Sequence, residues 1–247
     1  MNRIYWEKIA PAYNEEIFDV LKNDSKGLIV SAIKKVALKT KTIIDIGCAI
    51  GKWVPVLSPL FKKVHAVDIS AENIEIAKKL FPEFSNVEYD RIDMSDPKAK
   101  MPLCDAGICI NAILTDSLKK RNVFFSNLKK CIKKNGHLIL VIPSLESSML
   151  TSIIRQRWDP DKDASGVIKK NRSGFQLKNI LQGNAEIDNV PTKHYLKEEL
   201  QLLLANEGFK TEDFQKIEYD WNTEFLKPPA WLTEPKPWDW MVMARKL

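Results

Sequence analysis

Cysteine is scarce in this chain of 247 residues, and its spacing excludes one common use of the residue. The four cysteines are Cys48, Cys104, Cys109 and Cys131. They form no C-x-x-C pair, and no histidine stands near them at the spacing of a zinc knuckle. A zinc module of that kind is therefore excluded, and we expect four small buried side chains in a reducing compartment.

Long hydrophobic runs are absent as well. The opening residues, MNRIYWEKIAPAYNEE, mix charged and aromatic side chains, and the longest apolar stretches elsewhere have only the length of a β-strand. Neither an export signal nor a membrane span is visible. We therefore expect a cytoplasmic protein with no membrane partner.

The excess of positive charge is too small to indicate a nucleic-acid partner. Lysine and arginine number 38 against 32 acids, a formal net charge of +6, which would attract a phosphate backbone only mildly. With 45% hydrophobic residues the chain can fill a core, which excludes a disordered protein. The length predicts one elaborated domain over residues 1–247.

Strand patterns alternate with helix patterns through most of the chain. Apolar, β-branched runs predict strands at 42–47, 64–69, 86–90, 105–110 and 137–142, followed by two closing strands at about 210–221 and 237–246. Helical periodicity predicts helices near 52, at 71–80, at about 116–133 and at 196–208, with a helix stop at 133–136. This order predicts an α/β fold with a doubly wound, mostly parallel sheet, whose ligands bind at the carboxyl ends of the strands.

Three segments depart from the alternation. Residues 4–39 have the periodicity of two helices and precede the first strand. Residues 144–194 are polar and rich in Gly and Ser, which indicates an insertion between the fifth strand and the following helix. Residues 222–237 hold four prolines and form a lid-like loop.

The first strand ends in the sequence DIGCAIGKW, which is typical of a cofactor loop. Gly47 permits a positive φ or a close approach of ligand, and Gly51 lets a helix start near the ligand without a Cβ in the way. Asp68 ends the second strand, about twenty residues after the glycine turn, where a carboxylate can accept hydrogen bonds from ribose hydroxyls. Together these residues predict an adenosine-type cofactor.

Charge distinguishes between two such cofactors. A dinucleotide site normally has the spacing G-x-G-x-x-G, whereas this chain has G-x-x-x-G with Ala49 in the middle. Asp45 would also place a negative charge beside a pyrophosphate. S-adenosylmethionine carries an ammonium and a sulfonium and no phosphate, so the acidic strand end favours it over a nicotinamide dinucleotide.

The segments DIGCAIG, VHAVDIS, RIDMSD and DAGICINAIL resemble the class I S-adenosylmethionine-dependent methyltransferase family, over residues 5–143 and again over 194–245. The resemblance implies a Rossmann-like, seven-stranded sheet with an antiparallel last strand. It also implies S-adenosylmethionine as cofactor and S-adenosylhomocysteine as product. The opening YWEKIAPAY is similar to the family's N-terminal cover, here residues 1–40, which implies that Tyr13 and Trp6 lie near the cofactor. The cofactor-binding residues implied by the family pattern are Tyr13, Asp45, Gly47, Cys48, Ala49, Gly51, Asp68, Ile69, Asp93, Met94, Asn111 and Ala112.

Two features of the family are missing after the fourth strand. Many relatives carry an acid-His pair there, but this chain has Leu114 and Thr115. No Asn-Pro-Pro-Tyr or Asp-Pro-Pro-Tyr run follows either, which argues against that type of amide or adenine methylation. Cys104 is preceded by Leu103 and not by proline, which argues against cytosine C5 chemistry.

The catalytic and substrate residues are predicted from position. His194 ends the insertion and could act as a general base, with Tyr13 as a rival for orienting the nucleophile. His65 and His137 lie in or beside strands and are expected to be structural. The substrate wall is predicted to include Tyr5, Trp6, Trp158, Tyr195 and Trp231, with Phe175, Trp221 and Phe225 as further aromatic candidates.

The predicted function is methyl transfer from S-adenosylmethionine, by in-line displacement, to an oxygen, nitrogen or carbon of a small molecule. An RNA or protein methyltransferase is the alternative, because Arg155, Arg157, Lys169, Lys170 and Arg172 lie inside the insertion and could meet a phosphate backbone. The missing acid-His pair leaves a non-catalytic cofactor-binding partner subunit open. The sequence does not define the accepting atom or the oligomeric state.

Overall fold

The computed structural model describes residues 3–158, 160, 182–187 and 190–247. Its strands are β1 (Thr42–Ile46), β2 (Lys63–Asp68), β3 (Val87–Arg91), β4 (Cys104–Ile110), β5 (Ile132–Pro143), β6 (Asn184–Ile187), β7 (Val190–Lys193), β8 (Phe209–Glu218) and β9 (Trp238–Lys246). Its helices are α1 (Arg3–Ile9), α2 (Tyr13–Glu16), α3 (Val20–Asn23), α4 (Leu28–Val36), α5 (Val54–Leu57), α6 (Ala71–Leu80), α7 (Leu118–Cys131), α8 (Leu145–Trp158) and α9 (Lys197–Asn206), with 3₁₀ turns at Ala10–Ala12 and Trp221–Thr223.

Seven strands form one sheet in the order β3-β2-β1-β4-β5-β9-β8. The pairs from β3 to β5 are parallel, and β9 runs antiparallel to both β5 and β8. The prediction of a mostly parallel seven-stranded sheet with an antiparallel last strand is confirmed. The strand order reverses between β1 and β4, and a ligand crevice is expected outside the carboxyl ends of these two strands.

Helices cover both faces of the sheet. The apolar side chains of β1 show why both faces have to be covered. Its side chains alternate between the two faces, as in any strand, yet those of Ile43 and Ile44 are both fully buried. Ile43 packs in one core cluster with Ile33 of α4, and Ile44 packs in another with Phe125 of α7. None of the helices in the described parts of the chain is long and apolar enough to cross a membrane.

The N-terminal segment is more broken than predicted. In place of two long helices, residues 3–36 form α1 to α4 with a 3₁₀ turn around Pro11. Proline has no N–H to donate and interrupts the helical pattern. Gly27 begins α4 with a φ of +61°, a left-handed conformation that separates α4 from α3. The predicted helix near residue 52 is the four-residue α5, which starts at Val54.

Two further boundaries differ from the sequence prediction. Helix α7 ends at Cys131, and the predicted helix stop at 133–136 is the irregular start of β5, where Asn135 has a φ of +61°. The segment predicted to be polar and irregular after residue 143 opens with the 14-residue α8, which Ser144 caps by accepting a hydrogen bond from the Ser147 N–H at 3.0 Å. The hairpin of β6 and β7 was also not predicted.

Candidate active site

The loop after β1 curls over the end of β2. Gly47 and Ala49 have φ values of +73° and +48°, and the Gly47 N–H donates to the Val67 carbonyl at 2.8 Å. A Cβ at Gly47 would lie 2.5 Å from the Cβ of Ala112, two residues after the end of β4. Glycine is therefore required at position 47 both for the left-handed turn and for the contact between the two strand ends.

Asp68 holds this loop in place. Its Oδ2 accepts the Ala49 N–H at 3.0 Å, and its Oδ1 accepts the Ser70 N–H at 2.8 Å and the Asn73 amide at 3.3 Å. Burial raises the pKa of the Asp68 carboxyl, and the bonds from Ser70 and Ala49 offset part of that effect. Oδ2 keeps one lone pair for a further donor.

Asp45 lies behind the loop. Its side chain is 1% exposed, and its Oδ2 is buried without a hydrogen-bond partner among the described residues. Burial, together with the negative charge of Asp68, raises the pKa of Asp45 to about 7. Asp45 lies within β1 and lines neither of the two cavities described below.

The raised pKa of Asp45 predicts a particular pH dependence of stability. The folded protein keeps this proton up to about pH 7, whereas the unfolded chain releases it at the ordinary value of 3.8. The unfolding free energy should therefore fall as pH rises through that window. Urea unfolding measures this effect in wild type and in Asp45→Asn. As pH rises from 5 to 8, the unfolding free energy of the variant should increase by about 2 to 3 kcal/mol relative to that of wild type.

Asp105 provides the matched control for this prediction. Burial acts to raise its pKa, but the bonds from Lys133 and Thr42 outweigh burial and lower it. Asp105→Asn should thus differ from wild type by a constant amount between pH 5 and pH 8. A constant difference for Asp45→Asn as well would contradict the assignment of a proton to Asp45.

A first cavity of about 340 Å³ opens at the carboxyl ends of β1, β2 and β4. Its walls include the predicted cofactor residues Tyr13, Gly47, Ala49, Asp68, Ile69, Asp93, Met94, Asn111 and Ala112, and also Trp6. Besides Asp45, two predicted residues are not in this wall. Cys48 lines a neighbouring cavity, and Gly51 packs against α6, where an added Cβ would lie 3.2 Å from the Cβ of Ala77.

The N-terminal cover is attached above this cavity through one carboxylate. Glu7 of α1 accepts hydrogen bonds at the start of α6 from the Ser70 hydroxyl at 3.0 Å and from the N–H groups of Ala71 and Glu72 at 3.1 Å. A carboxylate is favourable at a helix N-terminus. This attachment brings Trp6 to the wall of the first cavity.

A second cavity of about 660 Å³ adjoins the first. Helix α8 and its cap, Ser144, present to it a row of hydroxyl side chains, namely Ser144, Ser147, Ser148, Thr151 and Ser152. The two cavities share Trp6, Tyr13, Gly47, Ala49, Ile110, Asn111 and Leu114. Tyr5 and His194, both predicted from the sequence, line the second cavity only.

Both predicted catalytic residues line the second cavity, and burial shifts the pKa of each. The His194 ring lies with Nδ1 3.0 Å from the Thr192 carbonyl oxygen, and burial lowers the pKa of His194 to about 4. Its imidazole is neutral at neutral pH, with Nε2 as the acceptor when Nδ1 carries the proton. Burial also raises the pKa of Tyr13, whose ring lies 5.7 Å from the Lys52 ammonium. The catalytic roles of His194 and Tyr13 stay predictions.

Three of the predicted substrate aromatics lie outside both cavity walls. Tyr195 is fully buried in the core, where its hydroxyl donates to the Ile113 carbonyl at 3.2 Å. Trp158 and Trp231 are 49% and 57% exposed and pack edge to face with ring centroids 5.3 Å apart.

Other sequence candidates are also accounted for. Trp221 and Phe225 belong to a small buried cluster beneath the loop that follows β8. Phe175, Lys169, Lys170 and Arg172 lie outside the described residues.

Sequence reasoning missed several residues of the walls. Asn73 lines the first cavity, and Tyr219 and Asp239 line the second. The one signal that could have indicated Asp239 is an acid between two tryptophans, Trp238 and Trp240, in an otherwise apolar strand.

The strand order, the glycine loop at the β1 end and the carboxylate at the β2 end define a class I S-adenosylmethionine-dependent methyltransferase. Residues 13–211 match the family model described as a methyltransferase domain, so the chain belongs to that family and is an enzyme of the methyltransferase class. No curated protein matches the sequence.

Solved structures have the same fold. The PH0226 protein from Pyrococcus horikoshii is 17% identical with a TM-score of 0.66 and full coverage of both chains. An S-adenosylmethionine-dependent methyltransferase from Anabaena variabilis is 13% identical with a TM-score of 0.65, covering 99% of this chain and 93% of that one. The N-methyltransferase NodS from Bradyrhizobium japonicum, crystallised with S-adenosylhomocysteine, is 12% identical with a TM-score of 0.62, covering 99% and 97%.

Proposed function

We propose that this enzyme binds S-adenosylmethionine in the first cavity and transfers its methyl group to a small molecule in the second. The observation that carries the proposal is the contact between the two cavities along a shared wall that contains Gly47, Ala49 and Asn111. A donor on one side and an acceptor on the other would meet at this wall, and positioning of that kind is the main contribution a protein can make to a group transfer.

The residues of the first cavity fit the donor. Asp68 Oδ2 has a lone pair left for a ribose hydroxyl, and Ile69 and Met94 offer apolar contacts for an adenine ring. The Asp93 carboxylate stays beside them, because its Oδ1 accepts both the N–H and the hydroxyl of Ser95, at 2.8 and 2.7 Å. The carboxylates of Asp68 and Asp93 in this wall would repel a diphosphate and attract an ammonium or sulfonium.

The bound donor supplies an activated methyl group, so the chain's own residues have to align the acceptor and exclude water. Trp6 and Tyr13 lie in the wall that both cavities share, where aromatic rings displace water from the transfer point. Asn111, with a φ of +48°, is held by its N–H bond to the Val141 carbonyl at 2.9 Å. This arrangement supports an in-line displacement with the acceptor atom close to Asn111.

The size of the second cavity favours a small acceptor over a macromolecule. A volume of about 660 Å³ lies within the range of small-molecule sites. Arg155, which the sequence offered for a phosphate backbone, donates to the Glu224 carbonyl at 2.9 Å and covers the ring of Phe225 at 5.2 Å, so it has a structural task.

The donor part of the proposal is tested by calorimetry. We expect S-adenosylhomocysteine and S-adenosylmethionine to bind, and NAD to show no heat of binding at the same concentrations. Binding of NAD alone would contradict the proposed donor.

The acceptor part is tested with methyl-labelled S-adenosylmethionine and a fractionated cell extract. We expect the label in the small-molecule fraction. Label in RNA or protein would favour the macromolecular alternative. Cofactor binding without label in any fraction would indicate a non-catalytic subunit.

A further inference from the structure

Asp239 occupies a position next to the shared wall that no sequence motif indicated. It lies near the start of β9, opposite Pro143 of β5 and Ile217 of β8. Its Oδ2 accepts the Asn111 amide N–H at 2.9 Å and the Tyr219 hydroxyl at 2.9 Å. Asn111 lines both cavities and Asp239 lines the second. Only the Asn111 side chain therefore lies between the Asp239 carboxylate and the proposed methyl-donor site.

The second oxygen of this carboxylate is available to a ligand. Both hydrogen bonds use Oδ2, and within the described parts of the chain no hydrogen bond to Oδ1 is found. The two donors fix the plane of the carboxylate, so the position of Oδ1 is also fixed. Oδ1 is therefore a preorganised acceptor at the second cavity.

The walls of the second cavity favour a cation. Its described charged side chains are the acids Asp19, Glu186, Glu224 and Asp239 and the bases Lys52 and Arg155. Lys52 is paired with Asp19 at 2.7 Å. Even with Glu224 set aside, two acids, Glu186 and Asp239, then stand against one base, Arg155. Aromatic rings, whose faces attract cations, also line the cavity at Tyr5, Trp6, Tyr13, Phe18, Trp53, Tyr219 and Trp238.

The available bases restrict the acceptor further. A carboxylate is better matched to the proton of an ammonium than to that of an alcohol, which is far less acidic, and burial lowers the pKa of His194 to about 4, which makes it a weaker base than an ordinary imidazole. Acceptors that attack as anions, such as a thiolate or a phenolate, would be repelled by Asp239. An amine enters as a cation, gives up one proton and attacks as a neutral nucleophile.

We infer that, within the proposed methyl transfer on which this inference rests, the acceptor is an amine and Asp239 is the catalytic residue that takes its proton. The N–H bond of the ammonium breaks and the proton moves to Asp239 Oδ1. The nitrogen lone pair forms the bond to the methyl carbon, while the carbon–sulfur bond breaks and its electron pair stays on sulfur. The proton leaves Asp239 for solvent when the methylated ammonium product departs.

The test compares wild type with Asp239→Asn, whose amide oxygen can still accept from Asn111 and Tyr219. Each protein is incubated with methyl-labelled S-adenosylmethionine and a protein-free metabolite extract. The unreacted donor is then removed, and the products are separated on cation- and anion-exchange columns at pH 7. S-adenosylhomocysteine binding is measured by calorimetry on the same preparations. Asp220→Asn is the control, since Asp220 has a 71% exposed side chain that pairs at the surface with Lys236.

We expect the wild-type product to be retained as a cation. Labelling should fall about 100-fold or more in Asp239→Asn, with unchanged S-adenosylhomocysteine binding, and stay at the wild-type level in Asp220→Asn. A neutral or anionic labelled product, or less than a tenfold loss in Asp239→Asn, would overturn the inference and leave the proposed function standing. No labelled small molecule from wild type would overturn both.

A second variant covers the case in which Asp239→Asn fails to bind S-adenosylhomocysteine. Tyr219→Phe keeps both Asp239 and Asn111 and removes one of the two donors that fix the carboxylate. We expect about a fivefold to tenfold loss of labelling without loss of S-adenosylhomocysteine binding. Wild-type labelling in Tyr219→Phe would then overturn the role of Asp239.

Discussion

Gly47→Ala is expected to lower the free energy of unfolding by about 2 to 4 kcal/mol and to weaken S-adenosylhomocysteine binding tenfold or more. The added Cβ would lie 2.5 Å from the Cβ of Ala112, and the residue would have to keep a φ of +73°. Ala112 cannot easily yield, because Asn111 before it already has a left-handed φ and is bonded to β5. The two strand ends would have to separate at the first cavity. Urea unfolding and calorimetry measure both effects.

Gly27→Ala is the matched control for this prediction. Gly27 has a similar φ of +61°, but a Cβ there meets no atom within 4 Å. Gly27→Ala should therefore lower the free energy of unfolding by only about 1 kcal/mol, the part due to backbone conformation, and should keep full S-adenosylhomocysteine binding. Equal losses in the two variants would show that backbone conformation, and not the contact with Ala112, requires glycine at position 47.

Asp68→Ala is expected to weaken S-adenosylhomocysteine binding by about 1 to 3 kcal/mol and to destabilise the protein as well. The variant removes the carboxylate offered to the ribose hydroxyls. It also leaves the N–H groups of Ala49 and Ser70 without their acceptor. A buried donor without an acceptor is unfavourable by about 1 to 3 kcal/mol. Calorimetry and thermal unfolding report the two effects separately.

Asp96→Ala serves as the control for Asp68→Ala. Asp96 is exposed, its carboxylate accepts the Lys98 N–H at 2.9 Å, and it does not line the first cavity. Its variant should bind S-adenosylhomocysteine as wild type does. Unchanged binding in Asp68→Ala would argue against a ribose contact and would leave Asp68 as a support of the loop alone.

The part of the site that the sequence predicts well consists of local signals. The ends of two adjacent parallel strands carry Gly47, Ala49 and Asp68. The residues that flank them in the sequence determine where these strands end. The sheet follows from the same regularity, because β-branched runs alternate with helices and the crossovers are right-handed. The resemblance to a known family then indicated Tyr13, Ile69, Asp93, Met94, Asn111 and Ala112 of the first cavity, but not Asn73.

The second cavity could not be predicted because its residues meet through tertiary packing. Asp239 and Asn111 are 128 positions apart and become neighbours only when β9 inserts antiparallel beside β5. The position of Tyr195 before a helix suggested that it could contact a substrate. In the structure a parallel β-bridge pairs Tyr195 with Ser144, and the side chain lies in the core. Helix α8 was missed because serine and threonine are weak helix formers whose patterns are typical of loops.

The row of hydroxyls on α8 has an evolutionary consequence. The first cavity is built from strand ends and their loops, whereas α8 contributes to the second cavity and to no part of the first. With the acceptor in the second cavity, as proposed, exchanging Ser148, Thr151 or Ser152 for larger or apolar side chains would reshape acceptor selectivity while leaving donor affinity intact. Descendants of this enzyme can therefore diversify their substrates one helix position at a time.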